Sequence, residues 1–339
     1  MNKKQLAIIS CLLIAVVATW LAGMQRFIGG PMIGLLIGML IVNVLPIGDD
    51  FKKGTSFAGK KFLNVGIILA GATLNFSQVL GYGTKALPLI IVNIFLSFTT
   101  ALLFGKLLRL ERNVGTLVGG GTCICGGTAI ATVASIIKAK EEEIAYAMTA
   151  IFLFDVLAAI TYPYIAQWLG LSVNQFGFLA GTAINDTSSV AAAQETFNLL
   201  RGINVTNPIT VKLTRTTMLI PIAVILTFLQ VRRSSDQANQ GESIGGTIKR
   251  IFPWFIVWFV TMALLNSLGV FATLGIPGKI FSVSYKFFIT AALVGVGFKI
   301  RFQDLFTKGA KPILLGGITW LVIAISSFLF IYVFAGYIG

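Results

Sequence analysis

Long apolar stretches alternate with short polar intervals along the whole chain. Apolar runs occupy residues 6–22, 31–46, 62–80, 87–104, 144–169, 209–231, 251–268, 287–300 and 313–337. Most of them approach the roughly 20 apolar residues that a helix needs to cross a bilayer. Lys3 and Lys4 precede the first run and no clear small-x-small cleavage site follows it. It therefore reads as a transmembrane helix with its N-terminus inside rather than a cleaved signal peptide. Gly34 and Gly38 in the second run are spaced for close helix packing. The polar intervals are basic. Lys52, Lys53, Lys60 and Lys61 form one loop, Lys106, Arg109 and Arg112 mark a second, and Lys138 and Lys140 a third. Residues 232–250, rich in Ser, Gln, Asn and Gly, form the one linker of note, flanked by Arg232, Arg233, Lys249 and Arg250. Such intervals belong on the cytoplasmic side by the positive-inside rule.

Two stretches interrupt the pattern. Residues 119–135 read GGGTCICGGTAIATVAS, and their five glycines make a poor continuous helix, because each costs about 1 kcal/mol relative to alanine. Residues 181–189 read GTAINDTSS and repeat the GTAI of residues 127–130. Irregular backbone at membrane depth survives only where it is buried in protein or lines a wet cavity. Two such breaks in one membrane protein point to a transport site. Each break either interrupts a spanning helix or forms a re-entrant hairpin. Arg112 before the first and Lys138 and Lys140 after it favour a hairpin there, and charge alone leaves the choice open.

Composition narrows the class. The chain is 56% hydrophobic and 11% charged, against roughly 25% charged residues in soluble domains. An all-α polytopic membrane protein follows, with about 9–11 transmembrane helices. The net charge of +14 does not imply a nucleic-acid partner, since the basic residues sit in short intervals between spans. Histidine is absent, which excludes His-based triads and His metal sites. Cys11, Cys123 and Cys125 are too few for a structural zinc site, and Cys123 and Cys125 read as small residues of a tight break. No cofactor and no metal is expected.

An internal repeat accompanies the breaks. Lys60 pairs with Lys286, Phe62 with Phe288, Gly71 with Gly297, Phe76 with Phe302, Gly83 with Gly309 and Lys85 with Lys311, all at one offset. Each side is a span, a short turn and a second span. This predicts an inverted repeat, the common plan of secondary transporters, with residues 27–170 and 171–339 as its halves and 232–250 as a cytoplasmic linker. Residues 60–104 should then superpose on 286–330.

The polar groups at membrane depth are the candidates for chemistry. Asp155 lies within FLFDVL, residues 152–157, where a carboxylate costs about 2.5–3.5 kcal/mol to insert. It reads as a proton or sodium site, or as a hydrogen-bonded structural Asp between helices. Asn185, Asp186, Thr187, Ser188 and Ser189 suit ligand binding, and Asp186 or Thr187 also suits the N-cap of a following helix. The first break offers Thr122, Thr128 and Thr132 with the amides of Gly119, Gly120, Gly121, Gly126 and Gly127. Those glycines could instead let two helices touch. Lys212 and Arg215 share a helix face and serve either as snorkelling cations or as partners of Asp186 or an anion.

Residues 125–131 (CGGTAIA), 137–145 (IKAKEEEIA), 176–187 (FGFLAGTAINDT) and 212–215 (KLTR) together resemble the signature of the YeiH-type sulfate exporter family. The resemblance covers most of the chain. Many members carry histidine where this chain has Asn185. The family is similar to the cation:proton antiporter and anion transporter superfamily. GTAI at 127–130 followed by Phe154-Asp155-Val156 matches that group's broken helix and adjacent ion-binding Asp. The resemblance implies an inverted-repeat fold with a core of crossing or re-entrant broken helices.

These readings combine into a secondary active transporter of the cytoplasmic membrane, working by alternating access on a small sulfate- or sulfonate-like anion with a proton or sodium as coupling cation. The expected substrate contacts are Gly120, Gly121, Thr122, Gly126, Gly127, Thr128, Gly181, Thr182, Asn185, Thr187, Ser188 and Arg215. Asp155 and Asp186 are the expected ion-coupling residues. The lipid bilayer is the expected surrounding, and a homodimer is left open. A cation:proton antiporter without an anion is the alternative. An intramembrane enzyme or a receptor lacks, respectively, a nucleophile–base pair and a soluble interaction domain in this sequence.

Overall fold

The computed structural model describes residues 3–25, 29–233, 254–301, 303 and 310–338, which contain helices and no strands. Sixteen helices follow one another among the described residues: α1 (Lys3–Met24), α2 (Gly30–Val44), α3 (Asp49–Gly71), α4 (Phe76–Leu107), α5 (Arg112–Cys123), α6 (Gly127–Ile137), α7 (Glu141–Trp168), α8 (Val173–Ala183), α9 (Thr187–Arg201), α10 (Asn207–Thr217), α11 (Leu219–Arg233), α12 (Trp254–Ser267), α13 (Val270–Thr273), α14 (Gly278–Gly297), α15 (Ala310–Val333) and α16 (Ala335–Ile338). Six described helical stretches are long and apolar enough to cross a membrane, so the chain is a multi-pass membrane protein. Residues 234–250 of the linker, together with Phe302 and Gly309 of the repeat, lie outside the described residues.

The helices sort into two bundles. In the first, α1, α2, α3, α12 and α14 pack together, with α14 lying closely along both α2 and α3. In the second, α4 to α11 pack with α15. The bundles meet chiefly where α9 touches α2 and α14, and where α12 touches α4. As the spacing of Gly34 predicts, α2 approaches α14 closely. A Cβ at that position would come within 3.1 Å of the Thr290 carbonyl.

The span placed at residues 62–80 is corrected. The helix runs from Asp49 to Gly71 and a short turn separates it from α4. Lys52, Lys53, Lys60 and Lys61 therefore lie in a helix rather than a loop. Small residues between these lysines decide the matter, because Gly54, Thr55, Ala58 and Gly59 form a buried strip at helical spacing. Gly54 faces Ala7 of α1 and Gly59 faces Ala292 of α14. Asp49 and Asp50 occupy the first turn, where they favour the helix dipole. They also pair with Lys52 at 3.1 Å and Lys53 at 3.7 Å. The span read at 287–300 likewise begins earlier, at Gly278.

Both glycine-rich breaks are re-entrant hairpins. In the first, a Cβ on Gly120 of α5 would lie 3.4 Å from Val133 of α6, so the two helices run back alongside each other. Its base is closed by Lys140 to Glu111 at 3.5 Å and by Asn113 donating to Glu143 at 3.1 Å. In the second, Phe176 of α8 stacks on Phe197 of α9 with ring centroids 3.9 Å apart. Arg201 closes that base by donating to the Leu171 carbonyl at 3.2 Å.

The two hairpins point at each other. The first is joined by a short link to the N-terminal end of α7, and the second by a short link to its C-terminal end. The 28 residues of α7 put those bases roughly 40 Å apart at 1.5 Å per residue. Lys106, Arg109, Arg112, Lys138 and Lys140 gather at the first base, which is called the basic end below. Each hairpin is followed by a span, α7 after the first and α10–α11 after the second.

Candidate functional site

The hairpin tips touch beside the middle of α7. The first tip is residues 124–126 and the second is residues 184–186. A Cβ on Gly126 would lie 3.1 Å from Cβ of Asp186. Gly126 adopts φ 65°, ψ −124°, a conformation that costs a side-chain-bearing residue about 1–3 kcal/mol. The turn needs glycine twice over, for its dihedral angles and for the approach of Asp186. Gly126→Ala should therefore destabilise the protein by about 1–3 kcal/mol. Thermal unfolding in detergent checks this, and an unchanged melting temperature would show that the tips do not press together.

Two cations from α10 pin the tips. Lys212 and Arg215 are both completely buried. Lys212 Nζ donates to the carbonyls of Ile124 and Ile184, each at 3.0 Å, and to that of Asn185. Arg215 Nε donates to Ile124 at 2.8 Å, Nη1 to Thr182, and Nη2 to Thr122 at 2.9 Å and Asn185 at 3.2 Å. These acceptors are the orphan carbonyls that any helix leaves at its C-terminus. The ends of α5 and α8 also carry the negative pole of the helix dipole, which two buried cations complement. Asn207-Pro208 starts α10 and sets Lys212 and Arg215 three residues apart on the face toward the tips.

Asp155 completes the arrangement from α7. It is buried, and its Oδ1 accepts from the backbone N–H of Asn185 at 2.8 Å and of Asp186 at 3.0 Å. Its other oxygen, Oδ2, is buried without a hydrogen-bond partner. Thr122 Oγ1 and the side-chain oxygen and nitrogen of Asn185 share that condition. An unpaired polar group in a protein interior costs about 1–3 kcal/mol, and these four atoms belong to residues at the tips or bonded to them. Lys212, Arg215, Asp155 and Asp186 balance formally at two positive and two negative charges.

Asp186 caps α9 through its side chain, which accepts from Ser188 N at 2.9 Å and from the Ser188 hydroxyl. The N-cap expectation for this residue holds. No side chain caps α6, whose N-cap is Gly126. The N-termini of α6 and α9, the positive ends of their dipoles, thus both begin at the joined tips. Thr128 is exposed and Gly127 and Asp186 are half-exposed, while Asn185, Thr187 and Ser188 are buried.

The remaining expected contacts sit on the helices that lead into the tips. The glycine run does not break the helix: α5 continues through Gly119, Gly120 and Gly121 to Cys123. There the glycines admit neighbouring helices, and a Cβ on Gly121 would meet Ile130 at 2.8 Å. Gly181 faces Val211, and the Thr182 hydroxyl bonds to the Phe178 carbonyl at 2.6 Å and to Ser327 at 2.9 Å. Their side of α8 packs against α10 and α15. Cys123 and Cys125 are buried free thiols, in keeping with their reading as small break residues.

A family model described as "Conserved hypothetical protein 698" matches residues 6–316. UPF0324 membrane protein SAG1125 of Streptococcus agalactiae is 38% identical over 331 residues, covering 96% of each chain. UPF0324 membrane protein spr0034 of Streptococcus pneumoniae is 38% identical over 332 residues, again covering 96% of each. The chain belongs to the UPF0324 family. This is the YeiH-type family that the motifs resemble. One solved structure, the sodium proton antiporter MjNhaP1 from Methanocaldococcus jannaschii at pH 8, aligns with 99% of this chain and 98% of its own at 16% identity and a TM-score of 0.31. A score at that level supports no argument. For this UPF0324 protein the site has to be read from its own atoms.

Proposed function

We propose that this UPF0324 protein is a secondary active transporter of the cytoplasmic membrane, with its basic end inside by the positive-inside rule. One observation carries the reading: two opposed hairpin tips are pinned together at mid-depth beside Asp155, which has one oxygen unbonded. Broken helices whose ends meet near the bilayer midplane are how transporters build ion and substrate sites. Asp155 Oδ2, Asn185 Oδ1 and Thr122 Oγ1 are oxygens suited to a proton or sodium ion as coupling cation. The N-termini at Thr128 and Thr187 suit a small anion such as a sulfate or sulfonate. Lys212 and Arg215 hold the tips, since all three Lys212 protons and four Arg215 N–H groups are engaged by backbone carbonyls. The halves 27–170 and 171–339 each contain one hairpin and its following span, which fits an inverted repeat.

The second reading is a cation:proton antiporter with no anion. The unpartnered Oδ2 of the buried Asp155 carboxylate favours it. Reconstituted protein separates the readings. Sulfate or a sulfonate should cross only under an imposed proton or sodium gradient. Sodium-driven proton movement indifferent to anions would select the antiporter, and the absence of any gradient-dependent flux would overturn both.

A further inference from the structure

The boundary between the two bundles holds a charge cluster separate from the hairpin tips. All residues of α9 from Thr187 to Asn198 are buried, and one of them is charged: Glu195, 6% exposed. It lies nine residues beyond Asp186, about 13 Å along the helix toward the end opposite the basic one. Its Oε1 accepts from the Tyr285 hydroxyl at 2.8 Å, and its Oε2 lies 3.2 Å from Lys286 Nζ. Tyr285 and Lys286 belong to α14 of the first bundle. The seam continues around them. Asn204 donates to Ser282 at 3.0 Å, and Gly29 N–H donates to Thr196 Oγ1 at 3.3 Å.

The other hairpin is not sealed in this way. Its returning helix, α6, packs on α5, α7 and α11 of its own bundle. Thr128, Ala131 and Ser135 on α6 are exposed. One hairpin is thus closed on the first bundle by an ion pair whose carboxylate is buried and whose lysine side chain is 38% exposed, while its counterpart at the basic end presents a bare face with two hydroxyls.

We propose that Glu195 with Lys286 and Tyr285 forms the gate that closes the tips from the far end and holds the bundles in this arrangement. The assignment rests on the transporter reading only for its purpose; the contact itself is a latch between bundles either way. Its physics suits a gate. A buried carboxylate is stable while its cation and hydroxyl donor are in place and strongly disfavoured without them. Losing either partner leaves the buried Glu195 carboxylate short of compensation, which favours the closed arrangement while both are present.

Thiol accessibility tests the gate without needing transport. Cys11, Cys123 and Cys125 are replaced by alanine, and Ser189→Cys, 4% exposed on α9 between the tip and Glu195, is the reporter. Membrane vesicles receive an impermeant maleimide from the far end. Glu195→Gln and Lys286→Met should each speed labelling about tenfold, the effect of a modest population shift. The double swap Glu195→Lys with Lys286→Glu should return it toward the parent rate. Parent-rate labelling in folded single variants would overturn the gate. Where a charge variant fails to fold, Tyr285→Phe decides: it removes one hydroxyl, and faster labelling supports the gate while an unchanged rate overturns it. Faster labelling without gradient-driven flux would keep the gate and remove the transporter reading. Driven flux with unchanged labelling would do the reverse.

Discussion

Lys212→Met should be among the most destabilising single substitutions in this protein. Methionine matches the length of lysine and leaves the packing largely in place, but it donates no hydrogen bond. Three buried carbonyls, those of Ile124, Ile184 and Asn185, would lose the donor that joins them. Each orphaned acceptor costs about 1–3 kcal/mol. Arg215 would keep its bonds to Ile124 and Asn185, so the Ile184 carbonyl alone is left without a donor and the total should be about 1–3 kcal/mol. The melting temperature in detergent should drop by several degrees, at about 2–4 °C per kcal/mol. Lys53→Met, which removes an exposed pair with Asp50, should shift it hardly at all. Equal small shifts for both variants would mean that Lys212 does not hold the tips together.

The same staple shows where sequence reading stops. Apolar runs locate the spans, because length and hydropathy are local properties. The breaks are legible too, through two copies of GTAI and a cluster of polar residues with apolar flanks. The N-cap of α9 is legible to within one residue, as Asp186 or Thr187, and is Asp186. A folded-back hairpin and an interrupted straight helix have the same periodicity, however. The contacts that separate them, Gly120 with Val133 and Phe176 with Phe197, join residues 13 and 21 positions apart. Lys212 and Arg215 are visibly on one face, yet their acceptors come from two other segments that only tertiary structure brings together. The helix from Asp49 to Gly71 hid behind its lysines, since charge suggests a loop and the small-residue strip beneath them has no hydropathy signal. Glu195 lies within AAAQETF, residues 191–197, where no hydropathy break marks it. A lone acid among small residues on an otherwise buried helix was the signal that could have found it.

Asp155→Asn addresses the central claim, that the pinned tips and Asp155 form one ion-coupled site. Asparagine keeps a side-chain oxygen for the N–H groups of Asn185 and Asp186, the two bonds that tie α7 to the second tip. The fold should therefore persist, with a melting temperature close to that of the parent. What disappears is the ionisable carboxylate, and with it the unbonded Oδ2. A site that carries a proton or sodium ion through that oxygen cannot do so with an amide nitrogen in its place. In the gating scheme, removing the charge should affect driven flux far more than substrate binding, because the N-termini of α6 and α9 remain. The deciding measurement is gradient-driven flux in proteoliposomes, parent against Asp155→Asn, with folding checked by monodispersity. The account predicts that the variant loses pH-driven and sodium-driven flux, while a thermal shift by added anion persists. Driven flux at the parent rate in a folded Asp155→Asn variant would contradict it.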